Sequence, residues 1–129
     1  MRIAGIGIDS VEIERFKRIV DDKGEDFLKR IFTPQEISYS KTKKARMIHM
    51  AGKFAAKEAV KKALPEGAEI GLNWKDIEIL NSPDGKPYAR LHGEAKRIMD
   101  KFKLTEVLVS ISHTGNMAVS NAMVVQNGS

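Results

Sequence analysis

Apolar and polar residues alternate along residues 2–8, with Ala4, Ile6 and Ile8 on one side and Ile3, Gly5 and Gly7 on the other, the pattern of an opening strand. Its two glycines admit the close approach of another element. Asp9 stands at the strand's end, where Asp9 or Ser10, with Glu12 following, is predicted to cap a helix. That helix turns Val11, Phe16, Ile19 and Val20 inward and Glu12, Arg15, Lys17 and Arg18 outward. Residues 21–24 read as a turn and 25–31 as a short helix. Thr33-Pro34-Gln35-Glu36 starts another, with Thr33 as the cap, Pro34 at the first helical position and Glu36 closing a capping box. The charged run Lys41-Thr42-Lys43-Lys44 precedes a long helix over residues 45–64, which Pro65-Glu66-Gly67 stops.

Further on, residues 74–80 alternate as a strand, and Ser82-Pro83-Asp84-Gly85 is turn chemistry leading into a second strand over 86–91. Residues 93–102 carry Ala95, Ile98, Met99 and Phe102 at helical spacing. The β-rich runs 107–113 and 117–125 are joined by Thr114-Gly115-Asn116, a second hairpin and the expected sheet centre. Adjacent β-runs joined by tight turns make an antiparallel sheet, so the expected fold is α+β: a single domain over 1–129 with a largely antiparallel sheet wrapped around or packed on the long central helix.

The stretch Gly52 to Leu64 organises that expectation. At ~100° per residue it places Gly52, Ala55, Ala56, Ala59, Val60 and Ala63 on one small-residue face that packing must cover. Glu58 and Lys62 fall on the edge of this face and read as half-buried, while Lys53 and Lys57 point elsewhere. On periodicity alone Glu58 and Lys62 are an i,i+4 pair that supports an exposed helix by about 0.2–0.5 kcal/mol.

Composition narrows the classes. The chain has 129 residues, the length of one domain, with 42% hydrophobic and 30% charged residues, as in globular proteins. No apolar run approaches the ~20 residues of a membrane span, and the N-terminal stretch lacks a signal-peptide pattern, so no membrane association is expected. The absence of cysteine excludes disulfides and thiolate metal sites and points to the cytoplasm. A net charge of +5 implies an anionic partner: a nucleic acid, a phosphorylated small molecule or an acidic protein. Charge alone would allow a small basic nucleic-acid-binding module, but aromatic residues are few and do not interleave with the basic ones, so nucleic acid is not expected.

Three positions are candidates for chemistry: Asp9 at a strand end, Glu58 with Lys62 on the central helix, and His113 where a strand meets a tight turn. Two carboxylates without histidine or cysteine partners suit Mg²⁺, which takes few protein oxygens and completes its shell with water and substrate phosphate. A neighbouring lysine would balance phosphate charge, an arrangement suited to metal-assisted chemistry on a diphosphate. Gly5-Ile6-Gly7-Ile8-Asp9 lacks the third glycine of a dinucleotide fingerprint, and no phosphate-loop motif is present. His49, His92 and His113 lack metal-ligand spacing.

Four motifs in order carry a resemblance. Gly7-Ile8-Asp9-Ser10-Val11-Glu12-Ile13-Glu14-Arg15, Phe54-Ala55-Ala56-Lys57-Glu58-Ala59-Val60-Lys61-Lys62, Asp84-Gly85-Lys86-Pro87 and Ser110-Ile111-Ser112-His113-Thr114 together make a chain that resembles the holo-[acyl-carrier-protein] synthases, the short bacterial family of 4'-phosphopantetheinyl transferases. The resemblance implies Mg²⁺-dependent transfer of 4'-phosphopantetheine from coenzyme A to a serine of apo acyl carrier protein, releasing adenosine 3',5'-bisphosphate. It implies catalytic roles for Asp9, Glu58, Lys62 and His113, with Asp9 and Glu58 holding the metal and Lys62 and His113 contacting phosphate. The proton of the attacking serine would pass to Glu58 or to a metal-bound water.

By the same resemblance Lys44, Arg46, His49 and Lys53 meet the 3'-phosphate or adenosine end of coenzyme A, and Lys86 with Pro87 the adenine side. Arg15, Lys17 and Arg18 dock the acidic carrier protein. The family assembles as a homotrimer with sites between subunits. This chain departs from the family pattern at Lys53, where arginine is usual, in residues 65–71, which replace a Gly-Thr-Gly, and in the acidic Asp21, Asp22, Glu25 and Asp26.

Overall fold

The long helix forms as expected, and the rest of the chain is arranged by what each side of it touches. A computed structural model describes residues 1–67 and 71–128. Residues 68–70 of the 65–71 stretch lie outside the described residues. The elements run β1 (Arg2–Glu12), α1 (Ile13–Lys23), α2 (Glu25–Ile31), α3 (Pro34–Ser40), α4 (Arg46–Ala63), a 3₁₀ turn (Trp74–Asp76), β2 (Ile77–Asn81), β3 (Pro87–Leu91), α5 (Gly93–Lys101), β4 (Glu106–Thr114) and β5 (Met117–Gln126). The fold is α+β. One antiparallel sheet has the order β1-β5-β4, so β5 is central, and β2 and β3 form a separate antiparallel ribbon.

The sheet presses one face against α4, and the small residues of both elements set the distance. A Cβ on Gly5 would lie 1.9 Å from the carbonyl oxygen of Ala63, and one on Gly7 would lie 2.0 Å from that of Ala59. Near the other end of the helix a Cβ on Gly52 would meet the Ile111 side chain of β4 at 2.7 Å. The helix therefore crosses the sheet obliquely, from β4 near its start to β1 near its end. Ala55, Ala56 and Ala59 are fully buried in this seam.

On either side of α4 lies a core. One joins Val60, Ala63 and Leu64 to Ile77, Ile79, Ile98 and Val124; the other joins Met50 and Ala51 to Phe16, Val20, Leu28 and Phe32.

Three boundaries differ from the sequence expectation. Asp9 and Ser10 cap nothing: β1 runs on to Glu12 because pairing with β5 continues through Glu12 opposite Met117. The start of α1 is instead satisfied from the β4–β5 turn, where Asn116 accepts from Ile13 N through its carbonyl at 2.8 Å and from Glu14 N through Oδ1 at 2.9 Å. The expected turn at residues 21–23 is the last turn of α1, which ends at Gly24 with φ +71°. Trp74 to Asp76 forms a 3₁₀ turn rather than strand, capped by the Asn73 side chain on Lys75 N.

The capping box at Thr33 forms as expected, but Glu36 does more than close it. It is fully buried, as is Lys57, and Oε1 accepts from both Thr33 N and Lys57 Nζ at 2.8 Å. Oε2 accepts from Ile79 N at 2.8 Å, and Lys57 donates further to the carbonyls of Ile77 at 2.6 Å and Trp74 at 3.1 Å. Thr33 Oγ1 donates to Glu78 Oε2, whose other oxygen meets His92 Nε2 at 3.0 Å. This network ties α3, α4 and β2 together. Removing one partner of a buried pair strands the other charge, so Lys57→Met is expected to lose about 3–5 kcal/mol in urea unfolding. The Glu36→Gln/Lys57→Met double variant is expected to recover part of that loss, since no buried charge is then left unpaired.

Candidate functional site

Glu58 and Lys62 lie on the flank of α4 that faces β1, and β1 delivers Asp9 to them. Along β1 the residues Gly5, Gly7 and Asp9 share the inward side, so the two glycines that draw the helix close also aim the carboxylate at it. Lys62 Nζ donates to Asp9 Oδ1 at 2.7 Å and to the Ile8 carbonyl at 3.3 Å. Lys62 thus pairs with Asp9 across the fold, in place of the i,i+4 partnership with Glu58 expected from helical spacing. Its hydrogen bond to Asp9 holds the ammonium above the usual lysine range.

The Glu58 carboxyl is pushed above the usual carboxylate range, first by burial and then by the Asp9 carboxylate, with Lys61 and Lys62 pulling the other way. Two acidic groups therefore share a half-buried site with Lys62, and they repel each other there. Among the described residues no group of three or more histidines and carboxylates gathers as a metal cage. Two carboxylates are nevertheless the donor set of a cation that keeps most of its shell for water and phosphate.

His113 is elsewhere. It stands at the end of β4 and lines a cavity of about 370 Å³ on the opposite flank of α4, together with Lys44, His49, Pro87, Tyr39 and Lys43. Asn81, Gly85 and Ser112 complete its polar edge, and the described lining contains no carboxylate. The four residues with expected catalytic roles thus fall into two sets within one chain: Asp9, Glu58 and Lys62 on one side of the helix, His113 on the other.

The cationic side chains around this cavity are differently placed. Lys44 is exposed at its mouth, while Lys86 is exposed just outside, next to Pro87. Arg46 turns towards α3 and α2, with Nε donating to Ser40 Oγ at 3.0 Å and Nη1 3.6 Å from Glu25, and it lines a neighbouring cavity of about 550 Å³ with Lys17 and Asn116. His49 is half-buried with its ring 5.3 Å from that of Tyr39. Burial, then Lys53 and Lys43, lower its pKa to about 4, so it is neutral at pH 7. Lys53 is 1% exposed, lies beneath the cavity rather than in its lining, and its amine has no hydrogen-bond partner. Arg15, Lys17 and Arg18 are exposed on α1.

Sequence periodicity gave no sign of Tyr39 or of the burial of Lys53 and Lys57. The partner of Lys57 is 21 residues away on another helix, and helical spacing carries no information about such a contact. The usable signal was Glu36: closing a capping box takes up only part of a carboxylate's acceptor capacity and leaves the rest to be accounted for.

The described geometry has clear relatives. The profile of the 4'-phosphopantetheinyl transferase superfamily matches residues 5–119. The holo-[acyl-carrier-protein] synthase of Caldicellulosiruptor saccharolyticus is 46% identical over 121 residues, covering 94% of this chain and 95% of that one. That of Geotalea daltonii is 43% identical over 118 residues, covering 92% and 94%. The Helicobacter pylori holo-[acyl-carrier-protein] synthase in complex with coenzyme A superposes with a TM-score of 0.72 at 32% identity, covering 92% of this chain and 98% of that one.

The raised Glu58 pKa has a stability consequence whose sign is fixed. An acid whose pKa is higher folded than unfolded penalises folding when ionised, and the penalty disappears as pH falls through the folded value to the unfolded one near 4.3. In metal-free buffer Glu58→Gln is therefore expected to melt above the wild type at pH 7, with the gap closing as pH falls to about 4 in calorimetric scans.

Proposed function

The chain belongs to the holo-[acyl-carrier-protein] synthase family of 4'-phosphopantetheinyl transferases, and from that premise we propose how its residues divide the reaction. It transfers 4'-phosphopantetheine from coenzyme A to a serine of apo acyl carrier protein. The serine oxygen forms a bond to the phosphorus that carries pantetheine, the bridge to the second phosphorus breaks and adenosine 3',5'-bisphosphate leaves, while the hydroxyl proton passes to Glu58 or to a water at the site.

The observation that carries the assignment is the separation of two unlike half-sites by α4: a carboxylate pair with a lysine on one flank, and a basic cavity without carboxylates in its described lining on the other. The second half-site suits the anionic nucleotide end of coenzyme A, with Lys44, Arg46, His49 and Lys53 at the 3'-phosphate or adenosine end, Lys86 and Pro87 on the adenine side and His113 on phosphate. The first suits the diphosphate. Asp9 and Glu58 would hold Mg²⁺, and the burial and the repulsion from Asp9 that together raise the Glu58 pKa support a cation between them. When bound, Mg²⁺ supplies neutralisation of the charge that builds up on the phosphates. Lys62 adds a second positive charge there and steers the Asp9 carboxylate. Arg15, Lys17 and Arg18 present a basic surface to the acidic carrier.

A site drawn from both half-sites needs two copies of the chain, which supports a homotrimer. The outer face of the sheet offers the contact surface: Ile6 and Ile8 are each 65% exposed and Leu108 is 48% exposed, an apolar face turned to solvent. The reaction is placed in the cytoplasm, with the carrier; among the described residues no helix is long and apolar enough to cross a membrane.

With Mg²⁺, coenzyme A and apo carrier, mass spectrometry is expected to find the carrier heavier by one phosphopantetheine. Glu58→Gln or chelation of the metal is expected to slow this by about 100-fold or more, the scale of a lost electrostatic stabiliser. No product with several apo carriers, and no effect of Glu58→Gln, would refute the assignment. Mixing separately inactive Asp9→Ala and His113→Ala proteins through a denaturation and refolding step is expected to restore up to about a quarter of the sites, as random assembly of a ring predicts. Mixing Asp9→Ala with Glu58→Ala is expected to restore none, since those two residues share one half-site.

A further inference from the structure

In the wall of the basic cavity, two lysine ammoniums lie over the ring of Tyr39. Lys43 Nζ and Lys53 Nζ are each 4.8 Å from its centroid, and the imidazole of His49 packs at 5.3 Å. The two lysines are not equivalent. Lys43 reaches solvent, whereas Lys53 is 1% exposed and its amine makes no hydrogen bond.

Two carboxylates face Lys53, Glu36 of α3 and Glu78 of β2, and neither is free to pair with it. Glu36 is committed through both oxygens to Thr33 N, Lys57 Nζ and Ile79 N, and Glu78 to Thr33 Oγ1 and His92. The remaining charged neighbours, Lys43 from the α3–α4 connection and Lys57 from α4, oppose its charge. Glu36 and Glu78 favour the ammonium only through space, and the π face of Tyr39 is the group in direct contact with it that does so among the described residues.

We propose that Tyr39 is a positioning residue that keeps Lys53 protonated beneath the anion cavity, and that the proton on Lys53 gates the cavity's affinity for the nucleotide end of coenzyme A. The inference rests on the functional reading above and adds a proton-linked control to it. An arginine at position 53 holds its charge at every accessible pH, whereas a buried lysine can surrender it. Burial, opposed by Glu36, lowers the Lys53 pKa to about 8, within reach of working pH. An anion seated in the cavity adds counter-charge to the partial one that the engaged carboxylates give, so its binding and the protonation of Lys53 reinforce each other by linkage. Tyr39 enters from α3, whose start is fixed by the Thr33–Glu36 capping box. The aromatic wall and the committed carboxylates are thus parts of one assembly.

The test follows the Cε resonance of Lys53 by ¹³C NMR in lysine-labelled protein, assigned through Lys53→Arg, beside the pH profile of kcat/KM for coenzyme A, which reports ionisations of the free enzyme. In the wild type the resonance is expected to titrate near pH 8, to move to higher pH with saturating coenzyme A, and to be matched by a fall in kcat/KM above that pH. Tyr39→Leu is expected to move both midpoints down by about half a pH unit or more, Tyr39→Phe to bring them back, and Lys53→Arg to abolish the alkaline fall. Pentafluorophenylalanine at position 39 keeps the shape of the ring and reverses its quadrupole, so it reproduces the Leu result without a packing defect. An unmoved Lys53 midpoint in the Leu and fluorinated variants overturns the inference whether or not transfer is observed. An alkaline fall that survives Lys53→Arg overturns the gating. Failure of the functional reading is distinct, since it appears as no holo carrier from the wild type at any pH.

Discussion

A lysine and a glutamate that solvent does not reach, Lys57 and Glu36, hold the parts of this molecule in register. Neither would be tolerated alone. Together with Thr33, Ile77, Ile79 and Trp74 they satisfy each other's hydrogen-bonding capacity, so the desolvation cost of two charges is met by a closed set of partners rather than by one contact. The geometry couples three elements: Glu36 caps the start of α3, pairs with α4 and accepts from the backbone of β2. The orientation of α3 over α4 follows, and with it the wall of the cavity on that flank.

The central helix carries chemistry on both flanks because its third side is given over wholly to small residues. Glycine and alanine in the seam let the sheet lie against the helix backbone, and side chains a third of a turn away on either side emerge at the seam's margins. One margin meets β1 and holds Asp9, Glu58 and Lys62; the other meets α3 and the β2–β3 ribbon and holds the cationic cavity. Two chemically opposed surfaces, one anionic with a lysine and one cationic, are thereby kept apart by the thickness of a helix. Salt bridges between them that would quench both are avoided.

Much of this was legible in the sequence where the signal was local. The capping box at Thr33, the stop at Pro65 and the turns at Ser82 to Gly85 and Thr114 to Asn116 are each written in a few adjacent residues, and each formed where expected. The glycines of the first strand announced a close approach, which α4 makes. Local signals failed where a distant partner overruled them. Asp9 and Ser10 look like caps, but the ladder to β5 continues past them, and Asn116, far along the chain, does the capping. Glu58 and Lys62 look like a helix pair, but Asp9 competes for the lysine. Two buried lysines are invisible to periodicity, because a lysine at a core-facing position can be placed there only by a partner that sequence spacing does not identify.

The contact of Gly5 and Gly7 with the carbonyls of Ala63 and Ala59 also sets how well the carboxylate site can hold its dimensions. Side chains that separate two elements can hop between rotamers, and the gap between those elements breathes with them. Here main chain rests on main chain, and there is no rotamer to change. The distance from β1 to the carboxylate flank of α4 therefore has a hard stop on one side, a ruler made of backbone. A site that closes around a small, strongly hydrated cation of fixed radius gains from such a stop, because the two carboxylates cannot be drawn together past the separation that the backbones allow.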